Sequence, residues 1–87
     1  MAKQYKIKSE FGTFYYKDPS LTIQHREDGP AIEWVDGGYE WLINGKLHRL
    51  DGPALEYVTG NSAQWFVNDV FIFKTNRAGR IKDRMKK

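Results

Sequence analysis

Eighty-seven residues with a net charge of +3 and no cysteine define one small domain that neither a disulfide nor a thiolate-held metal can reinforce. A chain of this length buries only about 60–65% of the surface its unfolded form exposes, so its thin core must lean on aromatic side chains, which are 15% of the residues. There is no apolar run near the ~18 residues a bilayer span needs and no signal-peptide pattern, so the expectation is a soluble, cytoplasmic protein with no membrane partner.

Strand signals dominate from the N-terminus onward. Tyr5 to Lys8 alternates apolar and polar residues, as a half-buried strand does. Thr13 to Lys17 is a second strand, entered through Gly12 and closed by the turn signal Asp18-Pro19-Ser20. Ala31 to Val35 is a third, and Asp36-Gly37-Gly38 forms a tight hairpin turn in which glycine supplies positive φ. Tyr39 to Ile43 returns antiparallel to the turn Asn44-Gly45. Ala54 to Val58, a turn at Thr59-Gly60-Asn61, and Ala63 to Val67 repeat the pattern, and Asn68-Asp69 leads into Val70 to Phe73. The predicted fold is all-β, an antiparallel meander of about two and a half repeats spanning residues 1–75. A basic, marginally helical C-terminal extension covers 76–87, with Asn76 as N-cap and Ile81 and Met85 on one helical face.

The repeat is explicit. His-Arg-x-Asp-Gly-Pro-Ala stands at His25 to Ala31 and again at His48 to Ala54, 23 residues apart. Behind each copy Glu33 answers to Glu56, Trp34 to Tyr57, Trp41 to Trp65 and Asn44 to Asn68. Periods of this kind mark repeat architectures. Residues Tyr5 to Tyr16 look like a worn half-repeat, as expected of a unit that caps a stack. A His, an Arg and an Asp side by side invite acid–base chemistry, but recurrence with the period favours a repeated structural corner. In that corner Asp accepts backbone N–H groups of its own turn, and Arg pairs with the turn Asp or the strand Glu. The His ring covers an aromatic and donates to a carbonyl. No nucleophile or metal set accompanies the histidines, so no catalytic residue, metal or cofactor is expected.

Charge divides along the chain. From Lys74 onward there are seven basic residues and one acid, a net +6, whereas residues 1–73 carry seven basic residues and ten acids, a net −3. Phosphate neutralisation by Lys and Arg dominates nucleic-acid affinity, so Lys74, Arg77, Arg80, Lys82, Arg84, Lys86 and Lys87 are the expected RNA contacts. Lys3, Lys6 and Lys8 would join them if the termini converge. A second candidate surface is a sheet face with Phe14, Tyr15, Tyr16 and Phe66 as a base-stacking platform.

The string Trp-x-x-Asn-Gly-Lys-x-His-Arg-x-Asp-Gly-Pro-Ala, as it stands from Trp41 to Ala54, resembles the short β repeats of small proteins from large tailed phages. These are similar to the broader MORN- and YwqK-like antitoxin repeats. The resemblance covers about residues 25–70 and lapses at Asp69-Val70, which replaces Gly-Lys. The repeat itself says little about activity, but in size and in its basic end the chain also resembles a small phage protein that is an RNA-associated antagonist of a bacterial endoribonuclease toxin. That second resemblance implies a non-enzymatic RNA-binding protein of the host cytoplasm, with RNA or an RNA–toxin complex as partner and a homo-oligomer as one possible form. The alternatives are a protein-interaction module whose acidic repeat face binds a basic host protein, and, last, a metal-assisted nuclease using His25 and His48.

Overall fold

The computed structural model describes residues 4–77, and the elements it contains are all strands. They are β1 (Tyr5–Lys8), β2 (Gly12–Tyr16), β3 (Ile32–Trp34), β4 (Tyr39–Glu40), β5 (Leu42–Ile43), β6 (Lys46–Leu47), β7 (Leu55–Tyr57), β8 (Ser62–Val67) and β9 (Val70–Thr75). Seven form one antiparallel sheet in the order β1-β2-β3-β4-β7-β8-β9, and β5 pairs with β6 in a separate two-stranded ribbon. The meander expected from the turn spacing is therefore present. The extension expected to be helical over 76–87 lies outside the described residues beyond Arg77.

Residues 39–43 read as one strand in the sequence, but the structure divides them at Trp41. The Trp41 N–H donates to the Ala54 carbonyl at 2.6 Å, while its carbonyl accepts from the His48 N–H at 3.0 Å. Those bonds go to different partners, so the chain leaves the large sheet there and begins a corner. Alternation alone does not reveal this, because β4 and β5 keep the strand period on both sides of the bend.

The worn first unit proves structurally complete. The Tyr15 N–H donates to the Ala31 carbonyl at 2.7 Å and its carbonyl accepts from the His25 N–H at 3.1 Å, so Tyr15 does what Trp41 does one unit later. The isolated bridge between Tyr16 and Gln24 matches the pairs Leu42 with Leu47 and Phe66 with Phe71. Three corners thus stand in a row, the first with a longer turn through Asp18.

The core is as thin as the length implies. Ala31, Ile32 and Leu42 form its buried centre, with Phe14, Trp34 and Leu47 packed against it. Phe14 meets Trp34 edge to face with centroids 5.5 Å apart, the arrangement that the ring quadrupoles favour. Close approach of backbones supplies the rest. A Cβ built on Gly12 would lie 2.5 Å from the Glu33 carbonyl oxygen, and one on Gly38 would lie 2.8 Å from that of Glu56. Register explains the pairing, since Gly12 stands opposite Trp34 as β2 meets β3, and Gly38 directly precedes Tyr39, which stands opposite Glu56 as β4 meets β7.

Gly38→Ala is expected to destabilise the fold by about 1–3 kcal/mol, because the sheet neighbour is backbone and cannot rotate away. Gly60→Ala, where the nearest atom is the Ser62 Cβ at 4.0 Å, is expected to leave the melting temperature nearly unchanged. Thermal unfolding of the two variants side by side checks this.

Candidate nucleic-acid interface and the repeated corner

Each motif folds around its arginine. The Arg26 guanidinium lies over the Tyr15 ring at 4.0 Å, and that of Arg49 over the Trp41 ring at 4.1 Å. Nε donates to Asp28 at 3.1 Å in the first corner and to Asp51 at 3.0 Å in the second. Nη1 donates to the Pro30 carbonyl at 3.2 Å and to the Pro53 carbonyl at 3.1 Å. A planar five-donor fork suits this work, since it can stack on a ring while bonding in its own plane. Glycine follows for a steric reason: a Cβ on Gly29 or Gly52 would lie 2.9 or 2.8 Å from the guanidinium carbon. Ala31 and Ala54, which close the motif, have no exposed surface.

Two expectations about the corner need correction. The aromatic ring is covered by arginine, not by histidine. The histidine does not donate to a carbonyl through Nδ1; that atom accepts the backbone N–H of the next unit's turn, Asn44 to His25 at 2.8 Å and Asn68 to His48 at 3.1 Å. Both asparagines hold positive φ, 52° and 49°, and the following Gly45 and Asp69 do too, at 79° and 67°. That conformation turns the asparagine N–H towards the preceding corner, where the imidazole supplies the acceptor. Each histidine therefore ties one unit to the next. Its Nδ1 lone pair is engaged, and the His25 Nε2 faces Glu27 at 3.2 Å. The Asp is likewise turned chiefly to the arginine, with Gln4 also donating to Asp28 at 3.0 Å. Among the described residues no group of three or more His, Asp or Glu is placed to hold a metal ion.

Three glutamates of the repeat strands are engaged by partners in the sheet. Arg26 Nη1 donates to Glu33 at 3.3 Å. Glu40 accepts from Trp34 Nε1 and from the Tyr57 hydroxyl, both at 3.3 Å. Burial, and then the Glu40 carboxylate, raise the Tyr57 pKa above its ordinary value. Glu56, only 2% exposed, receives the Arg77 Nε at 3.0 Å and the Tyr39 hydroxyl at 3.5 Å.

The sequence-predicted contact residues separate into three sets. Lys6 and Lys8 lie on β1, with the Lys6 ammonium 5.6 Å from the Tyr15 ring centre. Lys74 lies exposed on β9, opposite Gln64. Strands β1 and β9 are the two edges of the sheet, six inter-strand steps apart, roughly 29 Å at about 4.8 Å per step. The described termini do not converge, so Lys6 and Lys8 form a locus separate from Lys74 and Arg77. Arg77 itself is held by Glu56 and, through its N–H, by Asn61 at 3.3 Å. Its guanidinium fastens the chain to the sheet before the remaining basic residues follow. Lys3, Arg80, Lys82, Arg84, Lys86 and Lys87 lie outside the described residues.

The stacking platform expected at Phe14, Tyr15, Tyr16 and Phe66 is not an open face. Tyr15 is buried beneath Arg26, Phe14 packs on the core, and Tyr16 and Phe66 are half-buried. The exposed aromatics beside a lysine are instead Phe71 and Phe73 of β9. The sequence carried a signal for this, the uninterrupted apolar run Val70 to Phe73. No helix among the described residues is long and apolar enough to cross a membrane. No known protein family, curated protein or solved structure matches the chain.

The corner carboxylates give stability a defined acid limit. The hydrogen bond from Arg26 holds the Asp28 carboxyl below its ordinary value of 3.8, and that from Ser20 lowers Asp18 likewise. Groups with depressed folded-state values stabilise the fold above the unfolded value and lose that contribution as pH falls through the folded one. The melting temperature is expected to hold steady down to about pH 4 and then fall. Asp28→Asn should start lower and fall less steeply over the same range.

Arg77→Ala removes the Arg77 guanidinium from the buried Glu56 carboxylate. The expected cost is about 2–3 kcal/mol, below the 3–5 typical of a fully buried pair because the Arg77 side chain is 37% exposed. Adding Glu56→Gln should recover most of the loss, as denaturant unfolding of the single and double variants will show.

Proposed function

We propose that this chain is a small, non-enzymatic RNA-binding protein of phage type that antagonises a host defence endoribonuclease in the host cytoplasm, either by coating RNA or by docking on an RNA–toxin assembly. The observation that carries the reading is the occupancy of the motif. The His, Arg and Asp groups that could perform chemistry are bonded into corners, so the repeat serves as a scaffold and activity falls to what does not repeat. The unrepeated part is the basic C-terminal stretch, which Arg77 ties to Glu56. Its five further cations, Arg80, Lys82, Arg84, Lys86 and Lys87, match a polyphosphate backbone in charge. The rival reading, an acidic repeat face offered to a basic protein, loses Glu33, Glu40 and Glu56, which are engaged by Arg26, Trp34, Tyr57 and Arg77, and rests on the exposed corner acids Glu27, Asp28 and Asp51.

Removal of residues 78–87 takes away five cations and Asp83, a change of −5 + 1 = −4, and leaves the Arg77–Glu56 pair in place. RNA affinity should collapse while the melting temperature is kept. With about four phosphates no longer neutralised, the slope of log K against log salt should fall by roughly 3 for a single strand. Equal affinity and equal slope in the truncated chain would refute the tail as the RNA contact. Capture of the host toxin that persists after RNase treatment and in the truncated chain would favour direct protein docking.

A further inference from the structure

Every internal unit is closed by the unit after it. Gly45 N–H donates to the Gln24 carbonyl at 2.8 Å, and one unit later Asp69 N–H donates to the Leu47 carbonyl at 2.8 Å. Arg26 N–H donates to the Leu42 carbonyl and Arg49 N–H to the Phe66 carbonyl, each at 3.1 Å. By pairing position, Phe71 is the third in the series Gln24, Leu47, Phe71. Phe73 stands eight residues beyond Trp65, as Arg49 stands eight beyond Trp41. Among the described residues no further turn follows to meet Phe71 and Phe73, so the last unit presents the backbone edge that the earlier units cover.

The side chains on that edge have changed to match. Ile72 replaces histidine and Phe73 replaces arginine, stacking on Trp65 at 4.3 Å with the rings 14° from parallel. Val70, Phe71, Ile72 and Phe73 are 61%, 53%, 51% and 44% exposed, four apolar residues in succession on an edge strand. An open apolar edge is a template for another strand, and proteins ordinarily blunt such edges with charge. The opposite edge, β1, is blunted in this way by Lys6 and Lys8.

We propose that β9 is a self-association edge, occupied by β9 of a second copy of this chain in antiparallel pairing. The choice of a second copy rests on charge. The segment Asp69 to Lys74 has an acid at its start, a base at its end and four apolar residues between. Antiparallel pairing with itself sets Asp69 of each copy against Lys74 of the other, whereas parallel pairing would set like charges side by side. Asp69 Oδ1 accepts the Leu47 N–H at 2.7 Å, which holds the carboxylate in the turn that enters β9. The six residues of β9 are a full strand length, and the interface closes by two-fold symmetry so that association stops at two.

The test is sedimentation equilibrium of the full chain, freed of RNA by nuclease and high salt. A dimer that dissociates at micromolar or lower concentration is expected. Ile72→Lys should raise the dissociation constant by at least about tenfold, and so should Lys74→Glu, which sets two acids together at each end of the pair. Ile7→Lys on the opposite edge should leave it unchanged. Hydrogen exchange on the unaltered protein serves if a variant misfolds: amides of Phe71 to Lys74 should gain protection as concentration rises. A chain that stays monomeric at about 100 µM overturns the proposal, with β9 then covered by residues 78–87 or left for a strand of a host protein. A dimer whose constant neither β9 variant alters, or whose concentration-dependent protection falls on β1, overturns it as well.

Discussion

The arginine fork is the interaction on which the rest of this small structure depends. Arg26 and Arg49 each join an aromatic ring, a turn carboxylate and the carbonyl of the proline that precedes the next strand. A partly desolvated cation–π contact stabilises by about 0.5–2 kcal/mol, and a hydrogen bond to a charged group by about 1.5–3. In a chain without disulfides, whose buried centre is two aliphatic side chains and an alanine, a few such corners are a large part of what opposes chain entropy. The motif is therefore a unit: arginine needs its ring, the ring needs the strand to bend at Trp41, and glycine must leave room for the fork. Change at one position is felt at all of them.

The last unit shows what happens where the fork is dispensed with. At Trp65 the ring is covered by Phe73, a flat apolar surface in place of a flat cation. The exchange keeps the stacking and gives up the bonds to a turn that the chain no longer makes. The carboxylate at Glu56 is equivalent to the Glu33 that Arg26 serves, but Arg49 bonds Asp51 and the Pro53 carbonyl, and Glu56 is met by Arg77 from beyond the repeat. The boundary between body and extension therefore lies after Arg77 in the folded chain, although composition changes at about residue 75.

Much of the fold was legible because turn chemistry and strand alternation agree along most of the chain. Asn44-Gly45 and Asn68-Asp69 both set hairpins, and the strands other than Lys46–Leu47, which no run of apolar alternation announces, lie where that alternation places them. Three features were hidden, each for a physical reason. The bend at Trp41 interrupts hydrogen bonding without interrupting the period of two. The histidine role depends on which nitrogen faces an N–H across a unit boundary, and composition does not encode that. The Glu56–Arg77 pair joins residues 21 apart in the chain across a sheet, and arginine in a basic stretch reads first as a phosphate ligand. The recurrence itself was the surest guide, since it marked His25 and His48 as architecture before any distance was known.

Separation of the basic loci constrains how such a protein can engage a polyanion. Six strand spacings, roughly 29 Å, lie between the β1 lysines and Lys74, against a screening length of about 8 Å at physiological ionic strength. Charges that far apart do not reinforce each other's field, and the repeat between them contributes acids. The β1 lysines therefore form a patch separate from Lys74 and Arg77. The ion pair at Glu56 is the point where fold stability and the proposed RNA contact meet, because the same arginine that neutralises a buried carboxylate sets where the basic segment starts.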